Sequence, residues 1–196
     1  MTHPIPFHET PPTGATADLA ARIQALIPVL ETERLVLRAP RIEDFEAFAA
    51  MVDGPRGSFF GHPQTRADAW EIFMQLTGTW PLRGHGAWTI TDRASGAVLG
   101  MVLIGAEPGD MEPELGWAVT PEAEGRGIAF EAAQAVRDHA FGPLGLTRLV
   151  SYVDADNIRS VALAERLGAT RDQAAEAALP EADRCAVYRH SAPGGR

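Results

Sequence analysis

The run from Glu112 to Glu131 limits the possible folds of this chain more than any other stretch. Leu115, Trp117 and Val119 alternate with Glu114, Gly116 and Ala118, which is the period of a strand. Thr120-Pro121 ends that strand, because proline brings no amide to a ladder. Gly125-Arg126-Gly127 then stands directly before a helical run from Ile128 to Phe141. Two glycines at a helix mouth let backbone come close to a ligand. The first helical turn leaves its amides unpaired, and the helix dipole adds positive character there. The segment therefore reads as an anion cradle at a strand–helix junction. From the two glycines alone, a flexible loop or a tight turn without ligand is the other reading.

The rest of the chain decides what such a cradle serves. A chain of 196 residues suits one sizeable domain. Its net charge of −9 argues against nucleic acid or an anionic membrane as the main partner, and it is compatible with a cationic substrate such as an amine. The single cysteine, Cys185, rules out an internal disulfide framework and fits a reducing, cytoplasmic setting. No activating pattern surrounds it, so it reads as a small apolar residue in a strand. No apolar run reaches the roughly 18 residues of a membrane span, and no secretory signal opens the chain. The six histidines show no ligand spacing, so no metal site is expected.

Residues Met1 to Thr16, with Pro4, Pro6, Pro11 and Pro12, read as an extended arm. Asp18 to Leu30 carries a helical stripe weakened at its end by Pro28. Residues 1–30 are thus expected to form an arm and short helix, and residues 31–196 a single domain. Strands are predicted over Glu33–Arg38, Gly86–Thr91, Val98–Gly105, Leu115–Val119, Leu146–Val153 and Arg184–His190. Helices are predicted over Ile42–Val52, Arg66–Trp80, Ile128–Phe141 and Ile158–Leu167, with Arg171–Glu181 read as an acidic loop. Asp92 to Gly96 makes a hairpin turn. This order implies an α/β (α+β) domain with a mixed sheet covered by helices on both faces. In such sheets a ligand sits at the carboxyl end of a strand and the start of the next helix, which places Val119 and Gly125–Ala129 at one site.

Three motifs together carry a family resemblance. Glu33-Arg34-Leu35-Val36-Leu37-Arg38 resembles an opening "TERLxLR" strand. Glu114-Leu115-Gly116-Trp117, followed by Gly125-Arg126-Gly127-Ile128-Ala129-Phe130-Glu131-Ala132, resembles "E-[IL]-G-[YW] … G-[KR]-G-x-A-x-E-A". Asn157-Ile158-Arg159-Ser160 and Glu165-Arg166-Leu167-Gly168-Ala169 resemble "N-x-x-S … E-[KR]-x-G-F". In that order and spacing, over roughly Glu31 to His190, the chain resembles a GCN5-related N-acetyltransferase (GNAT) of the RimJ/RimL-like branch. The resemblance implies a mostly antiparallel central sheet whose fourth and fifth strands splay apart. It implies acetyl-CoA as cosubstrate, with the pyrophosphate on the backbone amides of Gly125, Arg126, Gly127, Ile128 and Ala129. The pantetheine arm would pair with Trp117, Ala118 and Val119 as an added strand, with Gly116 consistent with a bulge there. Asn157 would bond the pantetheine, cap its own helix, or do both.

The expected reaction is direct attack of a neutral primary amine on the thioester through a tetrahedral intermediate. Glu114 is the candidate base, through water, or alternatively a carboxylate that only orients the substrate. Ser160 is the hydroxyl the motif offers to the sulfur or carbonyl, or else a first-turn helix bond. Ala164 stands where many relatives carry a protonating Tyr, Ala169 replaces the family Phe, and Glu124 stands where Gln or Arg is common. The acceptor is an amine on a small molecule or a protein N-terminus, with a homodimer open and neither nucleic acid nor membrane as partner. Loops at Phe59–Gln64 and Trp80–His85 are placed, by position only, around the amine pocket. A non-catalytic acyl-CoA-binding sensor is the competing reading. A nucleotide-binding βαβ domain fits badly, because repeated parallel crossovers are missing.

Overall fold

A computed structural model of the chain describes residues 5–53, 65–181 and 184–194. Among these residues, β1 (Leu30–Glu31), β2 (Leu35–Arg38), β3 (Ala87–Asp92) and β4 (Val98–Gly105) form one half of an eight-stranded sheet. The other half holds β5 (Glu114–Val119), β6 (Val150–Val153), β7 (Thr170–Arg171) and β8 (Ala186–Arg189), in the overall order β1-β2-β3-β4-β5-β6-β8-β7. Every neighbouring pair is antiparallel except β5 and β6. The helices are α1 (Gly14–Gln24), α2 (Phe45–Val52), α3 (Arg66–Thr77), α4 (Trp80–Arg83), α5 (Ile128–Phe141), α6 (Ile158–Arg166) and α7 (Gln173–Ala178).

The alternation in β4 and β5 divides the interior in two. Val102, Ile104 and Leu115 pack with Ile128, Ala132, Ala133, Val136 and Ala140 of α5 on one face. Met101 and Leu103 face the other way, onto Phe45, Phe48 and Met51 of α2 and Phe73 and Leu76 of α3. Glu114, Gly116 and Ala118 share that second face by the two-residue period of a strand. The small residues along α5 let the helix lie close to the sheet, which brings its N-terminus to the end of β5.

Two of the sequence motifs turn out to be partners. Arg34 donates from Nε to Glu131 Oε2 at 2.7 Å and from Nη1 to the Arg126 carbonyl at 3.0 Å. Thr32 Oγ1 and the Arg34 amide both donate to Glu131 Oε1. The opening strand thus fastens the glycine loop and the first turn of α5 to the sheet. Arg38 holds the buried Asp44 with two bonds, and Thr89 Oγ1 donates to the same carboxylate at 2.7 Å.

Several expectations need correction. The predicted helix over Ile42–Val52 begins as a 3-10 turn at Ile42–Asp44, and the one over Arg66–Trp80 breaks at Gly78. Arg171–Glu181 is not a loop: Asp172 caps α7 by accepting from the Ala175 amide, after the two-residue strand β7. The arm is not wholly extended, since Phe7–Glu9 forms a 3-10 turn and α1 already starts at Gly14. No bulge lies at Gly116; β4 and β5 keep register from Gly100↔Val119 to Gly105↔Glu114, and the irregularity falls at Ile90/Thr91. The Phe59–Gln64 loop lies outside the described residues.

Trp88, fully buried, ties the segment before β1 to the sheet. Its Nε1 donates to the Pro28 carbonyl at 2.7 Å, and Trp80 packs edge-on against its ring at 4.6 Å. Trp88→Phe keeps an aromatic core but leaves that carbonyl without its donor. We expect a stability loss of about 1–3 kcal/mol, read as a lower urea midpoint.

Candidate active site

A cavity of about 1050 Å³ opens where β5 and β6 part. The two strands make one parallel pair, Glu114↔Val150, with the Val150 amide donating to Pro113 O at 3.0 Å. One residue further on, Ser151 Oγ bridges the widening gap to Leu115 O at 2.6 Å, and His190 Nε2 backs it at 2.9 Å. Burial lowers the His190 imidazole to about 4, the Arg137 charge adding to this, so the ring is neutral at ordinary pH. Since Ser151 spends its proton on Leu115 O, it accepts from His190, which puts the ring proton on Nε2. Beyond this bridge, the β6-facing edge of Trp117–Val119 is left open for an added extended chain.

The predicted residues converge on this cavity. Glu114, Trp117, Ala118, Val119, Gly125, Gly127, Ile128, Ala129, Asn157 and Ser160 all line it. The side chain of Arg126 does not; it is exposed and reaches back to Glu122 O at 3.4 Å, leaving only its backbone near the cradle. Gly125 and Gly127 have φ of +70° and +75°, a region side-chain-bearing residues enter only at a cost. That geometry turns the chain into α5, whose first pairing amide is Glu131, bonded to Gly127 O at 3.1 Å. The amides of Ile128, Ala129 and Phe130 belong to the unpaired first turn. Asn157 Oδ1 accepts from the Ser160 amide at 3.1 Å, so the residue does cap α6 while standing on the cavity wall.

Glu124, the expected misfit beside a pyrophosphate, has a local explanation. Its Oε2 accepts from Arg159 Nη1 at 2.6 Å, joining the glycine loop to the first turn of α6. The ion pair sits on the cavity wall and cancels a charge that would otherwise repel an anion. Ala164 is fully buried with Val153, Ala169 and Tyr188 beneath α6, away from the cavity, so the helix offers no phenol there.

Glu114 lies at the opposite end from the cradle. Burial pushes its carboxyl up to about 8, with the Asp110 and Glu107 charges pushing the same way and the Tyr152 amide partly opposing them. Glu107, also on the wall, is raised by burial and by Asp110. The loop carrying these acids is held by Tyr152 Oη, which accepts from the amides of Met111 and Glu112 at 3.0 and 3.1 Å. Around this end stand Phe48 and Met51 of α2, Ile72, Gln75 and Leu76 of α3, and Met101 and Leu103 of β4. The expected wall at Trp80–His85 is not part of the cavity: Trp80 packs on Trp88, and His85 bonds Ile104 O at 2.7 Å. Sequence reasoning also missed Glu107, Ser151 and Arg159. Only Arg159 fell inside a recognised motif.

Burial pushes the Cys185 thiol up to about 11, which keeps it protonated at ordinary pH, but the residue stands just before β8 rather than within a strand. Among the described residues no group of three or more His, Cys, Asp or Glu is arranged to hold a metal ion, and no helix is long and apolar enough to cross a membrane.

A splayed parallel pair, an open strand edge and a glycine-led helix N-terminus are the features that the resemblance to acetyl-CoA-dependent transferases implies. A profile of the acetyltransferase (GNAT) domain matches residues 34–170, and the chain belongs to that family. It is 40% identical to a solved acetyltransferase from Agrobacterium tumefaciens, covering 84% of this chain and 95% of that one, with a TM-score of 0.77. It is 25% identical over 161 residues to the uncharacterized N-acetyltransferase YnaD of Bacillus subtilis, covering 78% of this chain and 88% of YnaD. The fold also matches RimL, a ribosomal L7/L12 alpha-N-protein acetyltransferase solved with coenzyme A. There the TM-score is 0.63 at 18% identity, over 86% of this chain and 100% of that one. Family membership makes the chain an acetyl-CoA-dependent N-acetyltransferase, and the non-catalytic sensor is not favoured.

Proposed function

We propose that this chain moves the acetyl group of acetyl-CoA onto a primary amine held at Glu114, with the cofactor lying along the β5 edge from there to the α5 N-terminus. The observation that carries the reading is one continuous cavity with unpaired amides at one end and a base tuned near 8 at the other. The amides of Gly125–Ala129 would take the pyrophosphate, the Trp117–Val119 edge and Asn157 the pantetheine arm. Acetyl-CoA, when bound, supplies the thioester carbon. The amine nitrogen forms a bond to that carbon, the carbon–sulfur bond breaks, and the amine proton passes to Glu114, directly or through water. The thiolate leaves and takes up a proton, so the products are an N-acetyl amine and a free thiol. A thiol is a good leaving group, so the absence of a phenol at Ala164 is tolerable, and Ser160 is the hydroxyl on the wall available to the carbonyl or sulfur. Residues 31–196 form the catalytic domain in this reading. The arm of residues 1–30 is braced on it by Arg66, which donates to Glu9 with two bonds of 2.8 Å.

Thiol release from acetyl-CoA, followed with and without a panel of amines, tests the proposal. Amine-dependent release supports it. Tight coenzyme A binding without any amine-dependent release would return the sensor reading.

The Glu124–Arg159 pair yields a separate expectation. Glu124→Gln leaves Arg159 free to meet phosphate. Because the pair is partly exposed, an effect of about 0.2–1 kcal/mol is reasonable, or roughly 1.4- to fivefold tighter coenzyme A binding by calorimetry at low salt. Unchanged or weaker binding would show that the pair does not restrain Arg159 from the ligand.

A further inference from the structure

The acceptor end of the cavity has a composition of its own, and its bearing on substrate choice rests on the acetyl-transfer reading. On the α2–α3 side of the sheet the cavity is walled by six apolar side chains, Phe48, Met51, Ile72, Leu76, Met101 and Leu103, with Leu103 opposite Gly116 and Met101 opposite Ala118. Among the described residues, its polar side chains are Gln75, Tyr152 and the two carboxylates Glu107 and Glu114, and Tyr152 Oη accepts from the Met111 and Glu112 amides. The cavity's cations, Arg159 and Arg166, stand on α6 at the cofactor end; Arg159 pairs with Glu124, and Arg166 lies over the Phe130 ring at 4.2 Å.

We propose that the acceptor is a primary amine bearing an apolar group beside the nitrogen and no carboxylate. Two sources share this chemistry: a peptide N-terminus that begins with an apolar residue, and a small alkyl- or aryl-amine. The reasons are electrostatic and steric. A free amino acid would bring its carboxylate next to Glu107 and Glu114, with no cation on that wall among the described residues to offset it. A polyamine would have to place its second ammonium away from the acids. The Glu107 and Asp110 charges both act on Glu114, and most of the remaining wall is apolar. Burying an unpaired ammonium there is costly. A serine at a peptide N-terminus would likewise set its hydroxyl against Met and Leu side chains.

Initial rates of thiol release at fixed acetyl-CoA decide the matter. The panel is leucinamide, free leucine, spermidine, phenethylamine and two otherwise identical peptides beginning with Leu or Ser. The chain contains no lysine, so release without added amine does not come from acetylation of its own side chains. We expect kcat/KM for leucinamide and the Leu peptide to exceed that for leucine, spermidine and the Ser peptide by about tenfold or more. Phenethylamine above the Leu peptide would identify the small-amine source, and the reverse order the peptide source. Ile72→Gln, on a half-buried wall position, should raise the leucinamide KM about tenfold while coenzyme A affinity stays unchanged. A preference for leucine, spermidine or the Ser peptide would overturn this inference but leave acetyl transfer standing. No amine-dependent release with any member of the panel would overturn both.

Discussion

Glu114→Gln is expected to lower kcat/KM by about a hundredfold or more and to flatten its rise with pH. An acceptor whose own pKa lies well below about 7 removes the amine's ionisation from the profile, so any remaining limb belongs to the enzyme. In the native protein that limb should sit near 8, because burial and the neighbouring Asp110 and Glu107 charges raise Glu114 there. Cys185 also faces this carboxyl, but its thiol is held near 11 and stays uncharged across the range. A base must be ionised to act, so activity rises as pH climbs through 8 and falls as it drops below. Stability runs the opposite way. The folded-state pKa lies above the ordinary 4.5, so the folded protein holds its proton where the unfolded chain has lost it. Glu114 therefore weakens the fold increasingly as pH rises from about 4.5 to 8. Glu114→Gln should accordingly melt higher than the native protein at pH above about 8, and by less near pH 5. A variant that keeps both the limb and the rate would remove Glu114 from the proton transfer.

The opposition of activity and stability explains why a strand-end carboxylate was visible in the sequence while its setting was not. Glu114 could be placed from β5's alternation, which also gave its face. Its raised pKa depends first on burial and then on Asp110 and Glu107, which lie in a loop without periodicity held by Tyr152, some forty residues downstream. The α5 helix and its glycine lead were legible because a long apolar stripe and two glycines are local signals. The α7 helix was not, because six residues rich in alanine and acid carry no stripe, and its cap bond at Asp172 matters only once β8 is beside it. The acceptor wall was misplaced for a similar reason. Phe48 and Leu76 are buried core residues of α2 and α3, and Ile72 packs partly buried against them. They reach the cavity only because the sheet opens beneath them where β5 leaves β6. Arg34 and Glu131, nearly a hundred residues apart, illustrate the converse: motif positions that looked independent are two halves of one brace on the glycine loop.

The sheet's other dependence on glycine carries a large expected effect. Gly100, opposite Val119 in the β4–β5 ladder, has φ of +156°, and a Cβ there would fall 2.2 Å from the Ala118 carbonyl oxygen and 2.7 Å from Val119 Cα. Both obstacles are backbone, so no rotamer change relieves them. Gly100→Ala must push β4 and β5 apart at the end of β5 that leads into the glycine loop. We expect a loss of about 3 kcal/mol or more, since overpacking against backbone sits at the upper end of its usual range. Gly145→Ala provides the contrast. Its φ is also positive, at +64°, but nothing lies within 4 Å of the added carbon, so it should cost only the backbone strain of about 1–2 kcal/mol. The two variants separate clash from conformation in one denaturation series. They also separate fold from function. Where each remains folded, Gly100→Ala should weaken coenzyme A binding by displacing the Trp117–Val119 edge, while Gly145→Ala, remote from the cavity, should leave it unchanged. Equal coenzyme A affinity in both would mean that the β5 edge does not hold the cofactor's arm.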